Sequence, residues 1–156
     1  MRFTAFRNNR RAVAVIEFAL TAPLVAIGLA AATDYGLREW SRSCLANAVA
    51  QGAYYAFRTG PSVNPANVQA LVVGTSSLTG VTFNGRNIAP VASYCPSGSP
   101  TPSLKPPPSD GSTCSDGSTP GKYLVITAYY PLTPIIPSYS GLSGQSISET
   151  ATVRLQ

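Results

Sequence analysis

Few side chains in this 156-residue sequence are of the types that catalyse reactions. The sequence contains no histidine, which excludes Ser-His-Asp and Cys-His catalysis and histidine-ligated metals. Its six acidic residues are scattered along the chain, so a metal cage of carboxylates is not expected. Neither Lys105 nor Lys122 lies in a context that favours a serine–lysine pair. The sequence therefore predicts no enzyme and no cofactor.

One carboxylate is unusual because of its surroundings. Glu17 lies within an otherwise apolar run, AVAVIEFALTAPLVAIGLAAA, which extends from Ala12 to Ala32. That is about 21 residues, or roughly 32 Å of helix, close to the hydrocarbon thickness of a bilayer. Only 11% of the chain is charged, against about 25% in an ordinary soluble domain. These features predict a membrane-spanning helix over residues 13–32.

The basic residues orient this helix. Four arginines lie in the first eleven residues with no acid among them: Arg2, Arg7, Arg10 and Arg11. By the positive-inside rule the leader, residues 1–12, is cytoplasmic and everything after Thr33 lies across the membrane, with Arg7, Arg10 and Arg11 setting the orientation. The remaining seven bases and six acids nearly cancel, so we expect no binding of nucleic acid.

Three kinds of N-terminal segment are compatible with the apolar run. They are a secretory signal peptide cut after Ala32, a plain membrane anchor, and a pilin-type N-terminus that both anchors and assembles. A carboxylate costs roughly 2–4 kcal/mol at the bilayer centre, and the first two kinds gain nothing from it. Glu17 either snorkels towards Arg10 or Arg11, or pairs with a cation on another subunit. Pairing with another subunit favours the pilin-type N-terminus.

The residues around Glu17 resemble a known family. The run RAVAVIEFALTAPL, residues 11–24, is similar to the start of TadE-like pseudopilins (minor pilins) of the tight-adherence (Flp) type IV pilus system. Shared features are a short basic leader, Glu-Phe-Ala-Leu and a proline a few residues later. The resemblance continues at Asp34-Tyr35-Gly36, at QGAYYA and in the C-terminal YLVITAYYPLTP and ATVR. It is specific over residues 10–36 and weaker beyond.

The resemblance implies processing, partners and a location. A prepilin peptidase would cut between Ala12 and Val13, with Ala12 in place of the usual glycine, so that Glu17 becomes the fifth residue of the mature chain. The freed α-amine of a neighbouring subunit would then meet Glu17, and Glu17 and Phe18 would belong to the assembly surface. The chain is thus expected to be a non-catalytic minor pilin in the bacterial inner membrane, with a periplasmic domain. Its partners would be other pilin subunits and the pilus assembly machinery, in the service of cell adhesion.

Two alternative functions remain open at this point. The first is a secreted binding module released by signal peptidase after Ala32. The second is a bitopic envelope protein with no role in a pilus.

The helix is predicted to continue beyond the membrane over residues 33–60. No proline interrupts Asp34 to Arg58, and apolar residues recur at intervals near 3.5. Gly60-Pro61 is expected to end the helix. Near that end, the aromatic residues Tyr54, Tyr55 and Phe57 predict a contact with the core of a sheet rather than an aromatic binding patch.

Residues 61–156 predict a small α+β domain, so that the whole chain is pilin-like: a long helix followed by an antiparallel sheet. A second helix is expected over Pro65–Val73, with Asn64 as N-cap and Gly74 as the stop. Asn84-Gly85 predicts a tight hairpin within residues 81–88. Strands are predicted over Tyr123–Tyr130, halted by Pro131, and over Ser146–Leu155, with Glu149 marking a frayed start.

A polar segment rich in Pro, Ser and Gly separates the strands. Residues 96–121 are expected to form a mobile, exposed loop, because this composition cannot bury a core. Cys95 and Cys114 flank the loop, and in an oxidising compartment we expect them to form a disulfide. The third cysteine, Cys44, is expected to be a small buried helix residue.

Overall fold

A single helix occupies the N-terminal third of the computed structural model, which describes residues 10–83, 88, 90–97, 103–107, 113–135 and 144–155. Helix α1 runs over Arg10–Thr59, 50 residues, and is about 75 Å long. It passes through Pro23 without ending. Gly60 ends it with a φ of +74°, a backbone conformation that favours glycine. The predicted continuation of the helix and its end at Gly60-Pro61 are confirmed.

Helix α2, Pro65–Thr75, begins as predicted and ends later. The Asn64 side chain accepts a hydrogen bond from the Ala66 N–H at 3.0 Å, so Asn64 is the N-cap. The expected stop at Gly74 is wrong, because the Ser76 N–H still donates to the Val72 carbonyl at 3.1 Å. Ser77, with a φ of 55°, takes the left-handed conformation instead.

Within the described residues, the sheet has five antiparallel strands, with the fourth in chain order at its centre. The strands are β1 Thr82–Phe83, β2 Ala92–Ser97, β3 Ser103–Lys105, β4 Gly121–Pro131 and β5 Ser146–Leu155. Strand β5 pairs with β4 from Lys122↔Leu155 to Pro131↔Ser146. The other edge of β4 is shared by β1 and β2. The α+β class is therefore confirmed.

Strand β1 pairs with β4, through Thr82↔Tyr129 and Phe83↔Ala128. The predicted Asn84-Gly85 turn lies outside the described residues. Ile88, at the end of the predicted hairpin, is described and is not in a strand.

The segment predicted as a loop, residues 96–121, contains part of the sheet. Strand β2 continues past Cys95 and pairs with β3 through Pro96↔Leu104, so the prediction of an unstructured loop is wrong there. The predicted disulfide is present between Cys95 and Cys114, which are 19 residues apart. Thr113 and Ser115–Thr119 are exposed, as expected for a surface loop.

The core lies between the two helices and one face of β4 and β5. It includes the fully buried side chains of Leu45, Val68, Val72, Leu124 and Ile126. Gly52 of α1 faces Val68 and Val72 of α2. A Cβ at that position would lie 2.6 Å from Cγ2 of Val72, so a larger residue cannot enter without displacing α2.

Candidate functional site

The predicted span, residues 13–32, is the most exposed apolar surface of the described chain. Nine large apolar side chains between Val13 and Leu29 are 37–71% exposed. None of the residues in its most apolar window is buried, and this helix is long and apolar enough to cross a bilayer. Soluble monomers rarely leave such a large continuous apolar surface open. A membrane anchor has such a surface, and so does a signal sequence near the N-terminus.

The residues expected to act in assembly lie on this surface. Phe18 is 71% exposed, and Glu17 is exposed beside it. The Thr21 hydroxyl donates to the Glu17 carbonyl at 2.9 Å, so this polar side chain is satisfied within the apolar helix. The described side chains, which begin at Val13, form no ion pair with Glu17. The bond between Ala12 and Val13 lies within helical backbone.

The arginines expected to set the orientation lie at the edge of the described chain. Arg7 is outside the described residues. Arg10 and Arg11 belong to the first turn of α1, and their side chains are outside the described part. The alternative pairing of Glu17 with either arginine therefore stays a prediction.

Asp34 attaches the domain to the helix directly beyond the span. This carboxylate is 4% exposed, and its Oδ1 accepts a hydrogen bond of 2.7 Å from the Ile135 backbone N–H, 101 residues away. The contact holds the segment after β4 against α1, so that the domain begins within one turn of residue 32. In the sequence, Asp34 is notable only as part of the resemblance at Asp34-Tyr35-Gly36, and nothing local indicates its distant partner.

An ion pair attaches β5 to the same helix further along. Nε of Arg42 lies 2.9 Å from Oε1 of Glu149, and this hydrogen bond, with the carboxylate charge, raises the pKa of Arg42. Glu149 is not the frayed start of its strand, as expected from the sequence, because it pairs with Ala128 inside the ladder. The acid interrupts the apolar row of β5 because its partner is a cation of α1. The ion pair between Arg42 and Glu149 was not predicted from the sequence.

A groove lies on the exposed face of the C-terminal part of α1. The groove lies where α1 meets the flank of α2, encloses about 900 Å³, and is lined chiefly by Asn47, Gln51, Tyr54, Tyr55, Arg58 and Leu71. The guanidinium carbon of Arg58 lies 5.9 Å from the centre of the Tyr54 ring, within the range of a cation–π contact.

The prediction that the aromatic residues near the end of α1 are core is wrong for two of them. Tyr54 is 62% and Phe57 is 55% exposed, whereas Tyr55 is half-buried against the core. Tyr54 follows the buried Gly52 by two residues, which rotates it about 200° around the helix and away from the sheet. Tyr54 instead lines the groove.

Within the described residues, no three His, Cys, Asp or Glu side chains lie together as a metal ion would require. Cys44 is a free thiol and is half-buried rather than buried. Comparison with known protein families, curated proteins and solved structures finds no match to this chain.

Proposed function

We propose that this chain is a membrane-anchored, non-catalytic assembly subunit of the minor-pilin kind, acting in a tight-adherence (Flp-type) pilus. The observation that carries the proposal is a carboxylate, Glu17, on a continuous exposed apolar helix that leads into a small α+β domain. The resemblance of residues 10–36 to TadE-like pseudopilins supports the choice of this pilus system.

Membrane insertion explains the exposed apolar helix. Residues 13–32 span the hydrocarbon core of the bilayer, and the basic leader keeps the N-terminus in the cytoplasm. The domain then lies in the periplasm, an oxidising compartment in which the disulfide between Cys95 and Cys114 persists. Asp34 and Ile135 hold the domain close to the membrane surface.

Assembly explains the carboxylate. An unpaired acid in the span destabilises insertion, by roughly 2–4 kcal/mol at the bilayer centre and by less at the depth of Glu17, and a cation from a neighbouring subunit removes that penalty. A cut between Ala12 and Val13 would create such a cation, the α-amine of the next subunit. Glu17 thereby favours the associated state over the isolated subunit, and the exposed Phe18 adds apolar contact beside it.

The test is Glu17→Gln, which removes the charge and keeps the shape. We expect unchanged membrane insertion but loss of subunit contacts and of piliation. The matched control is Glu39→Gln, since Glu39 is an exposed acid of the same helix beyond the span, paired only with the adjacent Arg38 among the described side chains. The control should assemble normally. Normal piliation and unchanged subunit contacts in Glu17→Gln would contradict the proposed role.

A second candidate function is a secreted binding module released after Ala32. One observation favours it: the buried side chains of α1 in the described part all lie at Asp34 or beyond, so the domain does not depend on the span for its core. Cell fractionation separates the candidates, because a released module is recovered in the soluble fraction and an anchored subunit with the membranes.

A further inference from the structure

We propose that the groove between α1 and α2 binds the proline-rich segment that follows β3 in a second copy of this chain. This contact rests on the proposed function, because it requires copies anchored side by side in one membrane. The groove would thus be a second contact surface between subunits, separate from the membrane span.

The groove has the chemistry that recognises extended, proline-rich chain. Asn47, Gln51, Tyr54 and Arg58 form one row along the exposed side of α1. Side chains of these types offer amide, hydroxyl and guanidinium donors next to an aromatic ring. A polyproline II segment carries no internal hydrogen bonds, so its carbonyls accept from such donors while its rings pack on aromatic side chains.

The groove also has a suitable length. The row from residue 47 to residue 58 spans eleven helical steps, or about 16 Å. At about 3.1 Å per residue, a polyproline II segment of roughly five residues fills it.

The segment after β3 has the matching properties. Lys105 and Pro106 are exposed and Pro107 is half-exposed, immediately after the short strand β3, and Pro108 continues the run in the sequence. Proline fixes φ near −65° and lacks an N–H, so this segment resists pairing as a strand and favours the polyproline II conformation. Its restricted conformation also lowers the entropy lost on binding.

The two surfaces lie on opposite faces of the domain. The groove row points away from the sheet, whereas the β2–β3 hairpin lies against the outer face of the sheet, where Pro96 and Leu104 line a depression with Tyr123 and Val125. A chain therefore cannot fill its own groove with its own segment. The contact is heterologous, and repeated contacts of this kind build a ring or an open array, depending on whether the rotation between neighbouring copies closes.

The two surfaces also lie at the same height above the membrane. The Asp34–Ile135 contact marks the lower end of the domain. From there, α1 rises 25 residues to Thr59, about 37 Å, and β4 rises ten residues from Pro131 to Gly121, about 33 Å, where β2 meets it through Tyr94↔Gly121. Two parallel anchored copies thus bring the hairpin of one level with the groove of the next.

A labelled peptide of residues 103–108, titrated against the full chain in detergent micelles, tests the recognition directly. We expect saturable binding that Tyr54→Ala weakens by about tenfold, since an aromatic contact of this size is lost. The matched control is Phe57→Ala, which removes an equally exposed aromatic residue of α1 that does not line the groove. The control should bind like the unaltered chain. Absence of binding, or binding that Tyr54→Ala leaves unchanged, would overturn the inference.

Co-isolation of two differently tagged full-length copies from membranes tests the contact in the assembly. Tyr54→Ala in one copy and Pro106→Gly in the other should each reduce co-isolation, and the two together should reduce it no further, because both remove one contact. Additive losses, or no loss, would overturn the inference.

Glu17→Gln distinguishes this inference from the proposed function. Peptide binding in micelles should survive that change. If Glu17→Gln leaves piliation intact while the peptide still depends on Tyr54, the proposed role of Glu17 fails and recognition in the groove stands. If Glu17→Gln abolishes piliation and the peptide does not bind, the reverse holds.

Discussion

Replacing Gly52 with alanine tests the packing that joins the two helices of the domain. The added Cβ would lie 2.6 Å from Cγ2 of Val72, 3.3 Å from Cγ1 of Val68 and 3.8 Å from Cδ1 of Ile126. Valine in a helix has essentially one side-chain conformation, so Val72 cannot rotate away and α2 must shift. Overpacking of this kind destabilises by about 1–3 kcal/mol.

The intrinsic preference of alanine for helix acts in the opposite direction. It favours alanine over glycine by about 0.8–1 kcal/mol, so the expected net loss at Gly52 is about 0–2 kcal/mol. Gly36→Ala is the matched control, because Gly36 belongs to the same helix and a Cβ there meets no atom within 4 Å. The control should gain up to about 1 kcal/mol. The difference between the two variants, about 1–3 kcal/mol, is then the steric contribution alone.

The assay is urea unfolding of the full chain in detergent micelles. Trp40, the one tryptophan of the sequence, reports the transition by its fluorescence. The free energy of unfolding of Gly52→Ala should fall below that of Gly36→Ala by the steric contribution. If Gly52→Ala is at least as stable as Gly36→Ala, the close approach of α1 and α2 is wrong.

Three further changes probe other contacts of the domain. Replacing both cysteines of the disulfide with serine should lower the free energy of unfolding by about 3 kcal/mol, measured in the same assay, because the bridge closes a loop of 19 residues; an unchanged stability would contradict this. A double-mutant cycle of Arg42→Gln and Glu149→Gln should give a favourable coupling that shrinks with added salt, and zero coupling would show that the ion pair does not form. Hydrogen bonds from Ser118 hold the pKa of Asp116 below its usual value. The ionised Asp116 therefore stabilises the folded chain at pH values above its pKa in the unfolded chain. This stabilisation is lost as the pH falls through the lower pKa of the folded chain. Asp116→Asn should remove this part of the loss in free energy of unfolding at low pH. A pH dependence of the free energy of unfolding identical to that of the unaltered chain would refute the prediction.

Features set by local periodicity were predicted well from the sequence. Strand β5 has the predicted bounds, Ser146–Leu155, because its apolar and polar residues alternate along its length. The Asn64 cap and the end of α1 at Gly60 follow from single residues with strong backbone preferences. The disulfide follows from the flanking positions of two cysteines around a polar segment.

Features set by distant partners were not predictable in this way. The Ile135 N–H lies 101 residues from Asp34, and Arg42 lies 107 residues from Glu149, so no local pattern couples either pair. The pairing of strand β1 with β4, as in Phe83↔Ala128, likewise joins segments that are far apart in the sequence. The aromatic residues were misjudged because helical periodicity places Tyr54 and Tyr55 about 100° apart, and only the position of the sheet decides which one is buried.

The mature N-terminus of the protein, determined with its intact mass from a native membrane fraction, tests the central claim most directly. The account predicts a chain that begins at Val13, retained in the membrane and bearing the free α-amine that meets Glu17 of a neighbouring subunit. A chain that begins at Thr33 would contradict the account, because the apolar helix would then be a discarded signal peptide.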